Sequence, residues 1–297
     1  MASVDTELQV AYEYCRRLTK AEAKNFYYAF ITLPAEKRRA IYATYAFCRR
    51  CDDATDEQLL TDQKTRLIEQ QRQDLEQCFA GLAQDPVYVA LRDVTAHYSI
   101  PRDHFEQVID GVEMDLTTRC YQRFEDLRLY CYRVASVVGL ISLQIFEYQD
   151  LRAREHAIEL GLAMQLTNIL RDVKEDLERD RIYLPLEDLE RFGYSEKQLE
   201  QQIVNESFVK LMKFQVARAR HYFDRGCQLL GYLPVRSRAC PAILSGIYLR
   251  ILDEIEARNY NVFNDRIGLS SPEKLYIAFK RWTESLLPVP EIISKSW

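Results

Sequence analysis

Glycine and proline are scarce in this chain of 297 residues, nine of each or about 3%, against averages of roughly 7% and 5%. The scarcity excludes collagen-like and low-complexity chains and argues against a turn-rich all-β architecture. Basic charge is not in excess either. With 45 acidic and 40 basic residues the net charge is −5, so nothing global draws nucleic acid, and any anion must be bound locally. Long apolar runs are missing: the most suggestive, Val134 to Phe146, is interrupted by Ser136, Ser142 and Gln144 and falls short of the roughly 18–20 residues that cross a bilayer. The N-terminus, MASVDTELQ, lacks the basic-then-apolar order of a secretory signal, and a soluble, cytoplasmic protein is expected. The eight cysteines show no secreted-domain spacing, and Cys48-x-x-Cys51 has no second pair or nearby His to complete a zinc set, so reduced thiols are expected. The histidines at 97, 104, 156 and 221 match no ligand spacing.

What is present is helical periodicity. Pro34, Gly81, Pro86, Pro101, Gly193, Gly231, Pro234, Pro241 and Pro272 divide the chain into segments at about 5–30, 35–58, 61–82, 86–98, 102–117, 124–148, 150–179, 204–230, 236–260 and 272–286. In the fifth, Phe105, Val108, Ile109, Val112 and Leu116 follow the i, i+3, i+4, i+7 pattern, and no run alternates at period two. Without an internal repeat or a Gly/Ser/Pro-rich linker, the expectation is one all-α domain over 1–297, with its core at about 5–286 and a short C-terminal tail.

Two acidic stripes call for an explanation. At 100° per residue, Arg38, Ile41, Tyr45, Arg49, Asp52 and Asp56 share one face of the second segment. Gln165, Asn168, Asp172 and Asp176 succeed one another at steps of 3, 4 and 4 before residue 180, flanked by Arg171 and Arg181, while the same stripe runs backward through Leu162, Gly161 and Ile158. A charge run is ordinarily a solvated face, and like charges one turn apart cost a few tenths of a kcal/mol even there. Two helices repeating oxygen ligands at one-turn spacing, each with an arginine beside them, suit Mg²⁺ ions held around a diphosphate. A third stripe, Tyr130, Val134, Val137/Val138, Ile141 and Ile145, with Ala135, Gly139 and Ser142 among its residues, is plain core or the lining of a hydrocarbon tunnel with Tyr130 at its polar mouth.

The blocks AsnPheTyrTyrAlaPhe at 25–30, TyrAlaPheCysArgArgCysAspAspAlaThrAsp at 45–56, AspGlyValGluMetAspLeu at 110–116, TyrCysTyrArgValAlaSerValValGlyLeu at 130–140 and the run from Gln165 to Pro185 carry a resemblance. The chain resembles the squalene/phytoene synthase family of head-to-head isoprenoid synthases, whose all-α isoprenoid-synthase bundle encloses a central cavity. The blocks stand in family order and cover the chain to about residue 286. The resemblance implies Mg²⁺, three ions, on Asp52 and Asp56 of one helix and on Asn168, Asp172 and Asp176 of another. It implies diphosphate contacts from Tyr45, Arg49, Gln165, Arg171 and Arg181, substrate contact from Tyr248 and a catalytic role for Tyr130. Where the family often has Ser-x-Ser, this chain has Ala23-Lys24-Asn25, and Lys24 with the Asn25 amide would donate to phosphate there.

Within the family the 110–116 block and the stretch from Val137 to Tyr148 look nearest to bacterial presqualene diphosphate synthases, with phytoene synthases next. The expectation is therefore a Mg²⁺-dependent prenyltransferase joining two farnesyl diphosphates to presqualene diphosphate. The alternatives are phytoene from geranylgeranyl diphosphate, or squalene, the only product that calls for NADPH. No GxGxxG is present. A terpene cyclase would also use Asp-rich helices but lacks the Tyr130 block, and a non-catalytic helical assembly factor of the same fold predicts eroded Asp stripes. The tail from Leu286 to Pro290, with Trp297, is expected to be packed or disordered, with peripheral contact with a membrane that takes up the product as the alternative.

Overall fold

Helix boundaries follow local chemistry. Asp85 caps the helix that opens with Pro86 by accepting from the Val87 amide at 2.8 Å. Ser195 with Gln198, and Ser270 with Glu273, form reciprocal capping boxes, each satisfying two otherwise orphaned amides. The computed structural model describes residues 2–23, 26–56 and 59–287 of the chain, without the side chains of 2–5 and of Asp56. The elements are α1 (Ala2–Glu22), α2 (Tyr27–Phe30), α3 (Ala35–Asp56), α4 (Thr61–Phe79), α5 (Pro86–Tyr98), α6 (Arg102–Thr117), α7 (Phe124–Cys131), a π turn (Tyr132–Ser136), α8 (Val137–Phe146), α9 (Ala153–Arg171) and α10 (Val173–Glu178). They continue as α11 (Leu186–Arg191), α12 (Glu196–Glu200), α13 (Glu206–Gly226), a 3₁₀ turn (Cys227–Tyr232), α14 (Val235–Ala257) and α15 (Ser271–Ser285).

The bundle is all-α, and the only strand-like pairing among the described residues is one parallel bridge, Cys120 with Ile182. Next to it the amides of Ile182, Leu186 and Glu187 donate to the carbonyls of Arg119, Tyr121 and Gln122 at 2.8–3.0 Å, tying the α6–α7 link to the α10–α11 link.

Helix α9 is the central post. It is held by α13, by α8 with the π turn, and by α14. Glycine makes this contact possible: a Cβ on Gly161 would lie 2.6 Å from Ser136 Cα, and one on Gly226 would lie 2.6 Å from Leu160 Cα. Apolar side chains from α1 to the α14–α15 loop form one continuous core, and Leu230, Ala242 and Leu287 form a small satellite.

The structure departs from the expected segments in three places. The first breaks into α1 and α2, the seventh breaks at Asp172, whose φ of −102° and ψ of 18° end α9 and start α10, and the stretch after 180 forms the short helices α11 and α12. The 23 residues Phe124–Phe146 run as one helix, long and apolar enough by composition to cross a bilayer, which the shorter apolar run from Val134 alone is not. It packs between α6 and α9 as an interior wall, half of it buried, which accounts for the composition.

Candidate active site

One cavity of about 980 Å³ runs along α3, α8, α9 and α14. Its ends differ in chemistry. At the floor, Lys37 Nζ and Ser237 Oγ both reach the Phe146 carbonyl, at 2.7 and 3.0 Å, so the starts of α3 and α14 meet the end of α8. Ile41, Phe146, Ala157 and Cys240 line that end. The mouth lies eleven residues further along α3, at Asp52, and eleven further along α9, at Asn168, about 16 Å of helix rise in each case.

At the mouth, α9 and α10 present Gln165, Asn168, Arg171, Asp172 and Asp176 to the cavity. The guanidinium of buried Arg171 clasps Asp172, with Nε donating to Oδ1 at 2.8 Å, and Arg266 from the α14–α15 loop donates to the same oxygen at 3.1 Å. Burial works against the Asp172 charge, but the two arginines hold its carboxyl below the usual range. Asp176 has no such clasp. Burial, then the neighbouring Asp172, push its carboxyl up to about 8. The Asn168 amide donates to Gln165 at 3.3 Å while its oxygen is buried with no hydrogen-bond partner, an acceptor aimed at something the protein does not supply.

Across the cavity α3 contributes Tyr45, Arg49 and Asp52. Arg49 pairs with Asp53 at 2.5 Å, and its Nε is buried without a partner. Lys24 and Asn25 lie outside the described residues, as does the side chain of Asp56.

Tyr130 stands between the walls in a buried cluster. Its hydroxyl donates to Asp115 Oδ2 at 3.2 Å and lies 3.3 Å from the Tyr183 hydroxyl, which donates to Asp115 Oδ1 at 2.7 Å. Arg181 adds a contact to the same carboxylate at 3.7 Å. Burial and the Asp115 charge raise the Tyr130 phenol well above its ordinary range, so it keeps its proton at neutral pH. Tyr248 is buried further along α14, its ring 6.1 Å from that of Phe26.

The cavity brings together every described residue expected at the site and adds others. Asp115, Tyr183, Arg179, Arg266 and Lys274 also line it. Asp115 and Tyr183 stood inside the family blocks without a spacing to single them out. Arg266 and Lys274 are remote in sequence and carried no signal.

The third stripe is displaced in part. Tyr130, Val134, Ala135, Val138, Gly139 and Ser142 do line the cavity, joined by Leu143 and Phe146, but Val137, Ile141 and Ile145 are fully buried in the core. The π turn after Tyr130 is the cause: its wider turn moves the lining face on by about one residue, roughly 100°. On α9, Leu162 likewise belongs to the core, and Leu160, Ala157 and Met164 join Gly161 in the lining.

The model of the squalene/phytoene synthase family matches residues 19–273. The chain belongs to this family. It is a prenyltransferase of the squalene/phytoene synthase type. Its relatives include the 15-cis-phytoene synthase of Synechocystis sp., 43% identical over 93% of this chain and 85% of that one. The 15-cis-phytoene synthase of Synechococcus elongatus is 39% identical over 90% and 91%. A crystal structure of a dehydrosqualene synthase in complex with ligand superposes with a TM-score of 0.87 at 30% identity, covering 94% of this chain and 98% of that one.

These relatives overturn the expectation of presqualene diphosphate made from farnesyl diphosphate. The blocks that suggested it, 110–116 and 137–148, carry Asp115 of the buried cluster and part of the cavity wall. The family uses Mg²⁺ to bind prenyl diphosphates. The residues present fit that ion: Asp52, Asp172, Asp176 and the orphaned Asn168 oxygen are hard ligands. Among the described residues no three His, Cys, Asp or Glu side chains converge on one point, so an ion held here would need the amide, water and substrate oxygens to complete its shell.

Proposed function

We propose that this protein is a phytoene synthase, joining two geranylgeranyl diphosphates head to head. The observation that carries the reading is the 43% identity to a 15-cis-phytoene synthase across nearly the whole chain. In this reading Asp52 and Asp56 on α3, and Asn168, Asp172 and Asp176 on α9 and α10, would hold three Mg²⁺ ions, which would supply positive charge against the departing diphosphate. Tyr45, Arg49, Gln165, Arg171 and Arg181 orient the two diphosphates, with Lys24 and Asn25 beside them, and the guanidinium groups are the preorganised cations that stabilise charge as it develops on the leaving group.

The first C–O bond breaks, and the resulting allylic cation is attacked by the double bond of the second substrate. Loss of one proton closes a cyclopropane. The second C–O bond then breaks, the skeleton rearranges and a second proton is lost, so two substrates yield phytoene and two diphosphates with no reductant. Tyr130, protonated and hydrogen-bonded to Asp115, sits between the polar mouth and the apolar depth, where it positions the reacting carbons and passes released protons towards the Asp115 cluster. Tyr248 packs against substrate, and the apolar lining keeps water from quenching the cation.

Incubation with Mg²⁺ and either geranylgeranyl or farnesyl diphosphate, with and without NADPH, followed by mass analysis of the lipid extract, tests the reading. The expected result is a C40 triene-centred hydrocarbon from geranylgeranyl diphosphate, at the same rate with or without NADPH. Product from farnesyl diphosphate alone refutes it.

A further inference from the structure

Outside the cavity, α15 carries a run of exposed large apolar side chains. On α15, Leu275, Tyr276, Phe279, Trp282 and Leu286, just past the helix end, are 55, 67, 66, 42 and 54% exposed. Leu275, Phe279, Trp282 and Leu286 follow at steps of 4, 3 and 4, which confines them to a stripe about 60° wide. The other face is committed: Ile277 and Arg281 pack on Gly246 of α14, and Ser285 is buried. Helix α14 is in turn a cavity wall, through Cys240, Leu244 and Tyr248.

We infer that the α15 stripe docks the protein on a lipid bilayer, with the helix lying flat in the interface and α14 behind it. Three observations select a bilayer over other occupants. The composition is that of interfacial helices, leucine and phenylalanine with tryptophan and tyrosine, and exposed Lys280 beside them. The size is small for a second copy: five partly exposed side chains offer roughly 600 Å², below the ~800 Å² per partner of a stable protein interface. The position also fits. Lys274 on the first turn of α15 lines the cavity mouth, so the stripe starts beside the opening and follows the wall towards the floor. That last argument rests on the proposed hydrocarbon product, whereas docking itself does not require any product.

The test uses the full chain in flotation with vesicles of phosphatidylcholine, alone or with one third phosphatidylglycerol, at low and high salt. Binding to both, retained at high salt, is expected, and Phe279→Ser/Trp282→Ser weakens it at least ~10-fold while keeping the wild-type melting temperature and activity on detergent-dispersed substrate. In a Trp297→Phe background the Trp282 emission shifts to the blue on vesicles and is quenched by brominated acyl chains. Absence of binding, binding abolished by salt, or binding indifferent to the double variant overturns the inference. So does a dimer that the double variant disperses in a chain that ignores vesicles, or binding that appears only when residues 288–297 are removed, which would make the tail the occupant. Failure to make phytoene with vesicle binding intact would remove the product reading and leave the docking surface.

Discussion

Among the described carboxylates Asp176 is the one whose ionisation is most opposed by its surroundings, with burial first and Asp172 second raising its carboxyl to about 8. Folded, it holds its proton up to that pH, and unfolded it releases it near 4. Between the two, folding takes up a proton, so stability falls as pH rises through the window and the loss is complete above 8. A bound divalent cation favours the charged form and offsets that loss. Thermal melts in EDTA are therefore expected to drop from pH 6 to 8.5, with a smaller drop in excess Mg²⁺, and Asp176→Asn should flatten the EDTA profile. A second expectation concerns Tyr130. Removing its hydroxyl in Tyr130→Phe, or the charge and one acceptor oxygen of its partner in Asp115→Asn, should cut kcat by roughly 10²–10³ with KM changed little. Steady-state assays check this, and unchanged turnover in both variants would remove the cluster from the chemistry. Of these residues the sequence displayed Asp172, Asp176 and Tyr130 by spacing or by family block. Asp115 acquires its place only when α6 and α7 fold together, and Arg266 only when a loop 94 residues away in sequence closes over Asp172.

At the scale of the element, α9 depends on what Gly161 lacks. An added Cβ meets Ser136 Cα at 2.6 Å and the Ala135 carbonyl at 2.8 Å, backbone atoms that have no rotamer with which to yield. Gly161→Ala should cost about 1–3 kcal/mol and lower the melting temperature by several degrees. Gly226→Ala, equally tight against Leu160, should cost a similar amount. The two differ in activity: Gly161 faces the cavity and the π turn, so kcat falls further than the loss of stability explains, while Gly226 is remote from the mouth. Melting curves beside single-turnover rates separate the two effects. Helix periodicity made α3 to α8 readable from sequence because regular apolar spacing reports a regular turn. It placed Ile141 and Ile145 of α8 on the lining wrongly because no single residue announces where a turn widens, and it missed the end of α9 because Asp172 breaks the helix through its own backbone angles with neither glycine nor proline.

At the scale of the molecule, the all-α architecture and the position of the mouth were legible, since scarce glycine and proline leave long helices and long helices align acids turn after turn. The product was not. In the proposed reading, the depth open to a substrate runs from the mouth to the knot of Lys37, Phe146 and Ser237, a property of four helices at once. Ala157→Phe places a ring at that floor, where Ala157 lines the cavity. It should lower use of geranylgeranyl relative to farnesyl diphosphate by about 10-fold or more. A competition assay with both substrates checks this, and an unchanged ratio would place the limit elsewhere. The π turn gives the long interior helix something like a reading frame. Deleting one residue between 132 and 136 would restore ideal helical hydrogen bonding and yield a locally sounder element, yet every side chain from Val138 to Phe146 would turn by about a residue and trade pocket for core. Insertions and deletions at that point are thus expected to be read by the molecule as missense throughout α8, and a lineage that changes its product has reason to leave the length of this segment alone.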